Sequence, residues 1–305
     1  VRVMAIYHLR AKVIGRAAGK NAVASAAYRQ GGYSVVAMAG YRSGSALTDE
    51  RTGRTWDYTR KGGVEHTEIM APENAPTWVF DRSELWNRVE AGEKRKDAQL
   101  AREIEISLPR ELSAEQCIDL VRAYVRTEFV HRGMIADVAI HRPRASDGGE
   151  QPHAHIMLTM RSLDGEGFGK KERSWNGDDL LVSWREAWSV AANAALAKAG
   201  QEARIDHRSL KDQGIEREPA PYLPQLAFFE RVREFTGGLR ERFGQWVAIR
   251  HRNRVRDHLA AMEQSQAEGG IEELIGALLG RAVRSLGLER VIPLGPNLGE
   301  HSLDR

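Results

Sequence analysis

Polar and apolar residues alternate through residues 102–108, with Ile104, Ile106 and Leu108 on one side and Glu103, Glu105 and Ser107 on the other. That is the two-residue period of a half-buried strand. Continuous apolar runs at 136–141 and 153–160 predict two further strands, and the polar loop between them makes an antiparallel hairpin the simplest connection. A short apolar run at 4–9 predicts a buried strand near the start. The Ala-rich segment 21–30, entered past Gly15, Gly19 and Asn21, predicts a helix that carries Tyr28.

Helical spacing recurs further on. Residues 82–101 are charged and helix-favouring. Residues 113–132 open with Ser113 and Gln116 in capping-box positions, carry Ile118, Val121 and Val125 as an apolar stripe, and meet a stop at Gly133. Residues 178–199 place Trp184 and Trp188 one turn apart, a spacing that suits a core face. Between 31 and 80 the chain is rich in Gly, Thr, Asp and Pro, which predicts loops with a hairpin around Gly53. Pro219, Pro221 and Pro224 mark a linker, after which 225–290 reads as helix. The expected architecture is an α+β domain over 1–215, an antiparallel sheet flanked by helices, followed by a helical C-terminal extension over 216–305.

Composition narrows the class without naming it. Hydrophobic residues at 42% and charged residues at 29% are ordinary for a folded soluble protein, so wholesale disorder is not expected. A formal charge of +3 permits a polyanionic partner without requiring one. The single cysteine, Cys117, leaves no disulfide framework and no cysteine zinc cluster, and it fits a reducing, cytoplasmic setting. No apolar run approaches the ~20 residues that span a bilayer, so no membrane insertion is expected. Position 1 is Val, and Met4 is the expected natural start.

The chemistry concentrates in histidines. His153 and His155 stand two apart at the start of a strand and therefore share a face. His141, at the end of the preceding strand, lies opposite them in a hairpin. Three converging imidazoles can hold a metal and leave coordination positions open, which a catalytic ion needs; singly, each also reads as a solvated strand-end histidine. Glu103 and Glu105 share a face that points either to a site or to water. In a site, one of them can orient a ligating histidine or accept the Tyr28 proton. Tyr28 alone reads as a core aromatic, since a phenol near its ordinary pKa of ~10 needs activation to attack anything. Arg10, Lys12, Arg16 and Lys20 precede it and suit phosphate contacts as well as a solvated surface. The basic run at 250–256 fits DNA, a partner, or an exposed helix face.

Several motifs are excluded. The segment 15–21 has the wrong glycine spacing for a phosphate loop and Asn21 where Ser or Thr should bind magnesium. No His-Glu-x-x-His helix occurs, and one cysteine rules out a deaminase zinc site.

Four separated stretches then fall into one pattern: Met-Ala-Ile-Tyr-His-Leu at 4–9, Ala-Ser-Ala-Ala-Tyr-Arg at 24–29, Arg-Glu-Ile-Glu-Ile-Ser-Leu-Pro at 102–109 and Pro-His-Ala-His at 152–155. Their order and spacing resemble the plasmid mobilisation relaxases of the MobA/MobL family, and the likeness runs on through Ala-Arg-Ile-Asp-His-Arg-Ser-Leu at 203–210. The resemblance implies a histidine-metal nuclease fold in which Tyr28 attacks DNA, His141, His153 and His155 hold a divalent ion, Mg2+ or Mn2+, and Glu103 stands near the site.

The implied reaction nicks one strand at a transfer origin, leaves a free 3′ hydroxyl, and joins Tyr28 to the 5′ phosphate so that the strand can be resealed. Implied partners are single-stranded origin DNA, accessory relaxosome proteins and a type IV secretion coupling protein. The implied location is the bacterial cytoplasm, with passage to the recipient cell. Two other readings share features with it: a rolling-circle replication initiator, which uses the same chemistry at another origin, and a non-cleaving DNA-binding accessory protein with a structural metal.

Overall fold

A computed structural model describes residues 7–16, 34–144, 148–218 and 237–267. The chain divides into two compact units, Val1–His207 and Arg208–Arg305.

In the first unit the strands are β1 (Leu9–Gly15), β2 (Ala46–Asp49), β3 (Arg54–Asp57), β4 (Val64–Met70), β5 (Gln99–Ser107), β6 (Ala136–His141), β7 (His153–Thr159), β8 (Arg161–Asp164) and β9 (Gly167–Lys171). The helices are α1 (Val35–Ser43), α2 (Arg82–Ala91), α3 (Ala114–Glu128) and α4 (Asp178–Lys198). Five strands form one sheet in the order β1-β5-β7-β6-β4, and every neighbouring pair is antiparallel. β2 pairs with β3, and β8 with β9, as separate hairpins.

The two faces of the sheet bury different partners. Ile104, Ile106, Ile140, Ala154 and Ile156 point to one side and pack on α3 and α4, where Tyr124, Phe129, Trp184 and Trp188 fill the layer. Their rings meet edge to face at 5.1–5.4 Å. Rings set this way add to the burial of their own area, which is ~1.5–3 kcal/mol for each large apolar side chain. Trp184 and Trp188 are therefore core, as their spacing predicted. On the opposite face, Ile14, Ala101 and Met157 pack beneath α1 and α2 through Val35, Val36, Ala39, Leu85 and Trp86. That second layer covers only part of its face. The remainder, where β6 ends and β7 begins, is polar.

Local signals explain most boundaries. Ser113 caps α3 with the full reciprocal box to Gln116, and Gly133 supplies the left-handed turn (φ 92°) after a short 3-10 turn at Val130–Arg132. The hairpin around Gly53, the β6–β7 hairpin and the long α4 stand where the residue pattern placed them.

Other expectations are corrected. The first described strand is Leu9–Gly15; of the strand expected at 4–9, residues 4–6 lie outside the described residues and 7–8 are not in a strand, while Arg10 and Lys12 enter a strand at the end of the sheet order. The helix begun at Arg82 stops at Ala91 with Gly92 as its cap, and β5 starts at Gln99. The stretch 31–80, expected to be chiefly loop, holds α1 and the edge strand β4. The helix expected over 21–30, with Tyr28 and Lys20, lies outside the described residues, as does the proline-rich linker from 219.

In the second unit one long helix, α5 (Gly237–Ala267), carries the basic run. Glu218 accepts from Arg252 at 2.6 Å and pairs with Arg256 at 3.2 Å, while Asn253 exchanges hydrogen bonds with the Glu218 backbone. Part of the run thus holds the preceding segment against the helix. Among the described residues no helix is long and apolar enough to cross a membrane.

Candidate metal centre

The register of the central strands assembles the site. β6 and β7 pair so that His141 stands directly opposite His153, and Ala139 opposite His155. β5 lies on the other side of β7, with Glu105 opposite His155 and Ser107 opposite His153. Because paired residues point the same way, His141, His153, His155, Glu105 and Glu103 all project from one face. The three imidazole rings sit with centroids 5.0–5.3 Å apart. One ligand nitrogen from each lies within 4.8 Å of the other two.

Each ring uses its second nitrogen to fix its tautomer. His141 Nε2 donates to the Arg42 carbonyl at 2.7 Å, and His153 Nδ1 donates to the Gln151 carbonyl at 2.9 Å. His155 Nδ1 donates to Glu103 Oε1 at 2.9 Å. Carbonyl and carboxylate oxygens can only accept, so these nitrogens carry the protons, and His141 Nδ1, His153 Nε2 and His155 Nε2 keep lone pairs. Burial pushes the pKa of His141 down to about 3 and lowers that of His153, against the opposing pull of their backbone acceptors. His141 and His153 are therefore neutral at neutral pH. Three imidazoles with oriented lone pairs and hydrogen-bonded second nitrogens fit a divalent ion.

Glu103 is the hub behind the ligands. Its side chain has no exposed surface and accepts from Arg42 Nε and His155 Nδ1, with Lys12 Nζ at 2.5 Å from its other oxygen. Burial alone would raise its pKa, but the charge of Arg42, hydrogen bonds from His155 and Arg42, and the charge of Lys12 together hold it well below the carboxylate range. Glu105 is half-buried, in register with His155 on β7 and Arg10 on β1.

Arg42, which the residue pattern had not singled out, joins two parts of the centre: its guanidinium meets Glu103 and its carbonyl receives His141. It reaches this position because α1 ends at Gly44, whose φ of 65° lets the chain turn as only glycine does readily. The loop that follows β3 then brings Lys61 Nζ to 3.4 Å from His141 Nε2 and 4.2 Å above the Tyr41 ring. Lys61 was also missed. Burial, with the charge of Arg42, lowers its pKa to about 8.

Of the four basic residues considered for phosphate contact, Arg10 and Lys12 project from the site face of β1, and Lys12 is paired with Glu103. Arg16 is taken up elsewhere: its guanidinium donates to Glu90 Oε2 at 2.7 Å and to the carbonyls of Glu90, Glu93 and Arg95. Glu90 is itself buried on α2, and its other oxygen accepts from the Val35 backbone at 2.9 Å. One carboxylate thus holds the end of β1 and the beginning of α1.

Comparison with known proteins agrees with this architecture. Residues 33–225 match the MobA/MobL family. The chain is 38% identical over 319 residues to the Mobilization protein MobL of Acidithiobacillus ferridurans, covering 95% of this chain and 75% of the relative. It is 39% identical over 251 residues to the Conjugal transfer protein TraA of Rhizobium radiobacter, covering 72% of this chain and 21% of that much longer protein. A solved structure described as the molecular basis of vancomycin resistance transfer in Staphylococcus aureus superposes with a TM-score of 0.58 at 31% identity, covering 67% of this chain and all of that one.

The family match and the relatives, with a three-histidine face on the central strands of an antiparallel sheet, identify this protein as a relaxase, a DNA-nicking and rejoining enzyme. The chain belongs to the MobA/MobL family.

Proposed function

We propose that this protein cuts one strand of single-stranded DNA at a plasmid transfer origin and reseals it, with Tyr28 as the nucleophile and a divalent ion, Mg2+ or Mn2+, held by His141, His153 and His155. The observation that carries the reading is the set of three tautomerically fixed imidazoles converging on one sheet face. When bound, the ion supplies a Lewis acid that polarises the scissile phosphate. The remaining work falls to the chain.

Tyr28 Oη attacks phosphorus in line, the P–O3′ bond breaks, and the 3′ oxygen leaves and takes up a proton. The phosphotyrosyl bond keeps the diester, so attack by that 3′ hydroxyl restores the strand without a nucleotide triphosphate. Glu103, sealed behind His155, works through that ring as a positioning residue. Glu105, half-buried on the same face, accepts the Tyr28 proton. Arg10 and Lys20 contact phosphates, while Lys12 and Arg16 are engaged by Glu103 and Glu90. The reaction belongs to residues 1–215, and 216–305 is a helical extension outside it. Accessory relaxosome proteins and a secretion coupling protein, in the cytoplasm of the donor, are the expected partners.

The test is a labelled single strand bearing the plasmid's transfer origin, incubated with the protein and manganese or magnesium. A protein–DNA species that survives denaturation is expected, and Tyr28→Phe should abolish it. An adduct that persists in that variant overturns the nucleophile, and metal-dependent cleavage that persists in His153→Ala overturns the ligand set. A replication initiator would cleave its replication origin instead, and an accessory protein would form no adduct.

A further inference from the structure

We infer that Lys61, seated on Tyr41 at the edge of the histidine cluster, is a binding site for a backbone phosphate of the DNA strand. The inference rests on the strand-transfer reading above and names a contact within it.

Lys61 is half-buried, yet its ammonium meets no carboxylate and no carbonyl among the described residues. Its two neighbours do not neutralise it. His141 Nε2, 3.4 Å away, already donates to the Arg42 carbonyl and so offers the ammonium no lone pair. Tyr41 offers only a ring face, which orients a cation without cancelling its charge.

Bookkeeping of charge at this face gives the same answer. Arg42 and Lys12 both pair with the buried carboxylate of Glu103, so that carboxylate is already engaged by two cations before Lys61 is counted. Partly desolvating a further ammonium there costs free energy that nothing within the described residues returns. An anion arriving from outside returns it. The cation lies against the outer nitrogen of a ring whose inner nitrogen faces the metal position, so a strand whose phosphodiester reaches the histidines passes Lys61.

Tyr41 is the positioning residue. Its ring is 45% exposed and is braced edge to face by Tyr58 at 5.3 Å, so it holds Lys61 in place.

The experiment is fluorescence anisotropy of a labelled thymidine homopolymer with the full chain in chelator, across a range of salt. In Lys61→Gln, affinity at low salt should drop about tenfold, and the slope of log K against log salt should become shallower by ~0.7, the value of one lost single-strand phosphate contact. Tyr41→Phe should match the parent, while Tyr41→Leu should bind several-fold more weakly. A merely structural role for the ring would not separate Phe from Leu in this way. Arg126→Gln, on the exposed side of α3, is the surface-charge control and should leave the slope unchanged. Thermal melts and metal affinity are expected to stay near the parent in Lys61→Gln. If the parent binds and Lys61→Gln keeps its affinity and slope, the inference is overturned while the functional reading stands. If the parent itself fails to bind single strands, both fall.

Discussion

Replacing Glu103 by Gln keeps the shape of the side chain and removes its charge. Arg42, buried to 4% exposure, then loses a charged partner, as does Lys12, although Lys12 is about a quarter exposed and water compensates part of that loss. Breaking a buried pair by removing one member costs ~3–5 kcal/mol, and the amide still accepts one hydrogen bond, so about 3 kcal/mol is expected. For a unit of this size that lowers Tm by roughly 6–12 °C. His155 loses a charged acceptor for its second nitrogen, so metal affinity should fall ~10–100-fold as well. Urea unfolding and calorimetric metal titration read the two effects separately.

The pH dependence has a definite sign. The folded-state pKa of Glu103 is depressed, so its contribution is complete above the unfolded carboxylate value and is lost as pH falls through the folded one. The parent should therefore lose stability in acid more steeply than Glu103→Gln, and the two curves should converge at low pH. Equal stability and equal metal affinity at neutral pH would refute the reasoning, because they would mean that Arg42 and His155 do not depend on this carboxylate.

Other outcomes follow from the same structure. Trp188→Ala should cost ~3–5 kcal/mol in urea unfolding, because the side chain is fully buried among Tyr124 and its aromatic neighbours. Gly44→Ala should cost ~1–2 kcal/mol by the same measure, since φ is 65° and a Cβ would meet Val64 Cγ2 at 3.3 Å. Ser113→Ala should cost ~1 kcal/mol through loss of the α3 cap. His141→Ala should abolish high-affinity metal binding in calorimetry, with an unchanged fold by circular dichroism.

Strong periodicity made the centre of the sheet legible. The alternation around Glu103 and the apolar runs ending and beginning in histidines gave β5, β6 and β7, and with them the convergence of three imidazoles. Glu103 was visible as one of two carboxylates on a face, but nothing local showed that it is sealed under Arg42 and Lys12 while Glu105 stays half-exposed. That distinction comes from α1, which was missed because nine residues that include two Val, a Gly and a Ser carry a weak helical signal without their tertiary neighbours. Arg42 and Lys61 were missed for a related reason. A lone Arg and a lone Lys in a polar stretch read as solvated surface until the turn at Gly44 folds both against His141. Tyr28 was distinguished from a core aromatic only by the family resemblance.

The grip of Glu90 on both Arg16 and Val35 has a consequence for tolerance to change. Glu90 draws Arg16 and Val35 to one carboxylate, so the two ends of the segment between them, which includes Tyr28, are held at a fixed point. Closing a flexible loop of twice the length costs only ~0.6 kcal/mol more. Insertions and deletions between these anchors should therefore leave β1, α1 and the histidine face undisturbed, so the length of this segment can change without a change in the three-histidine face.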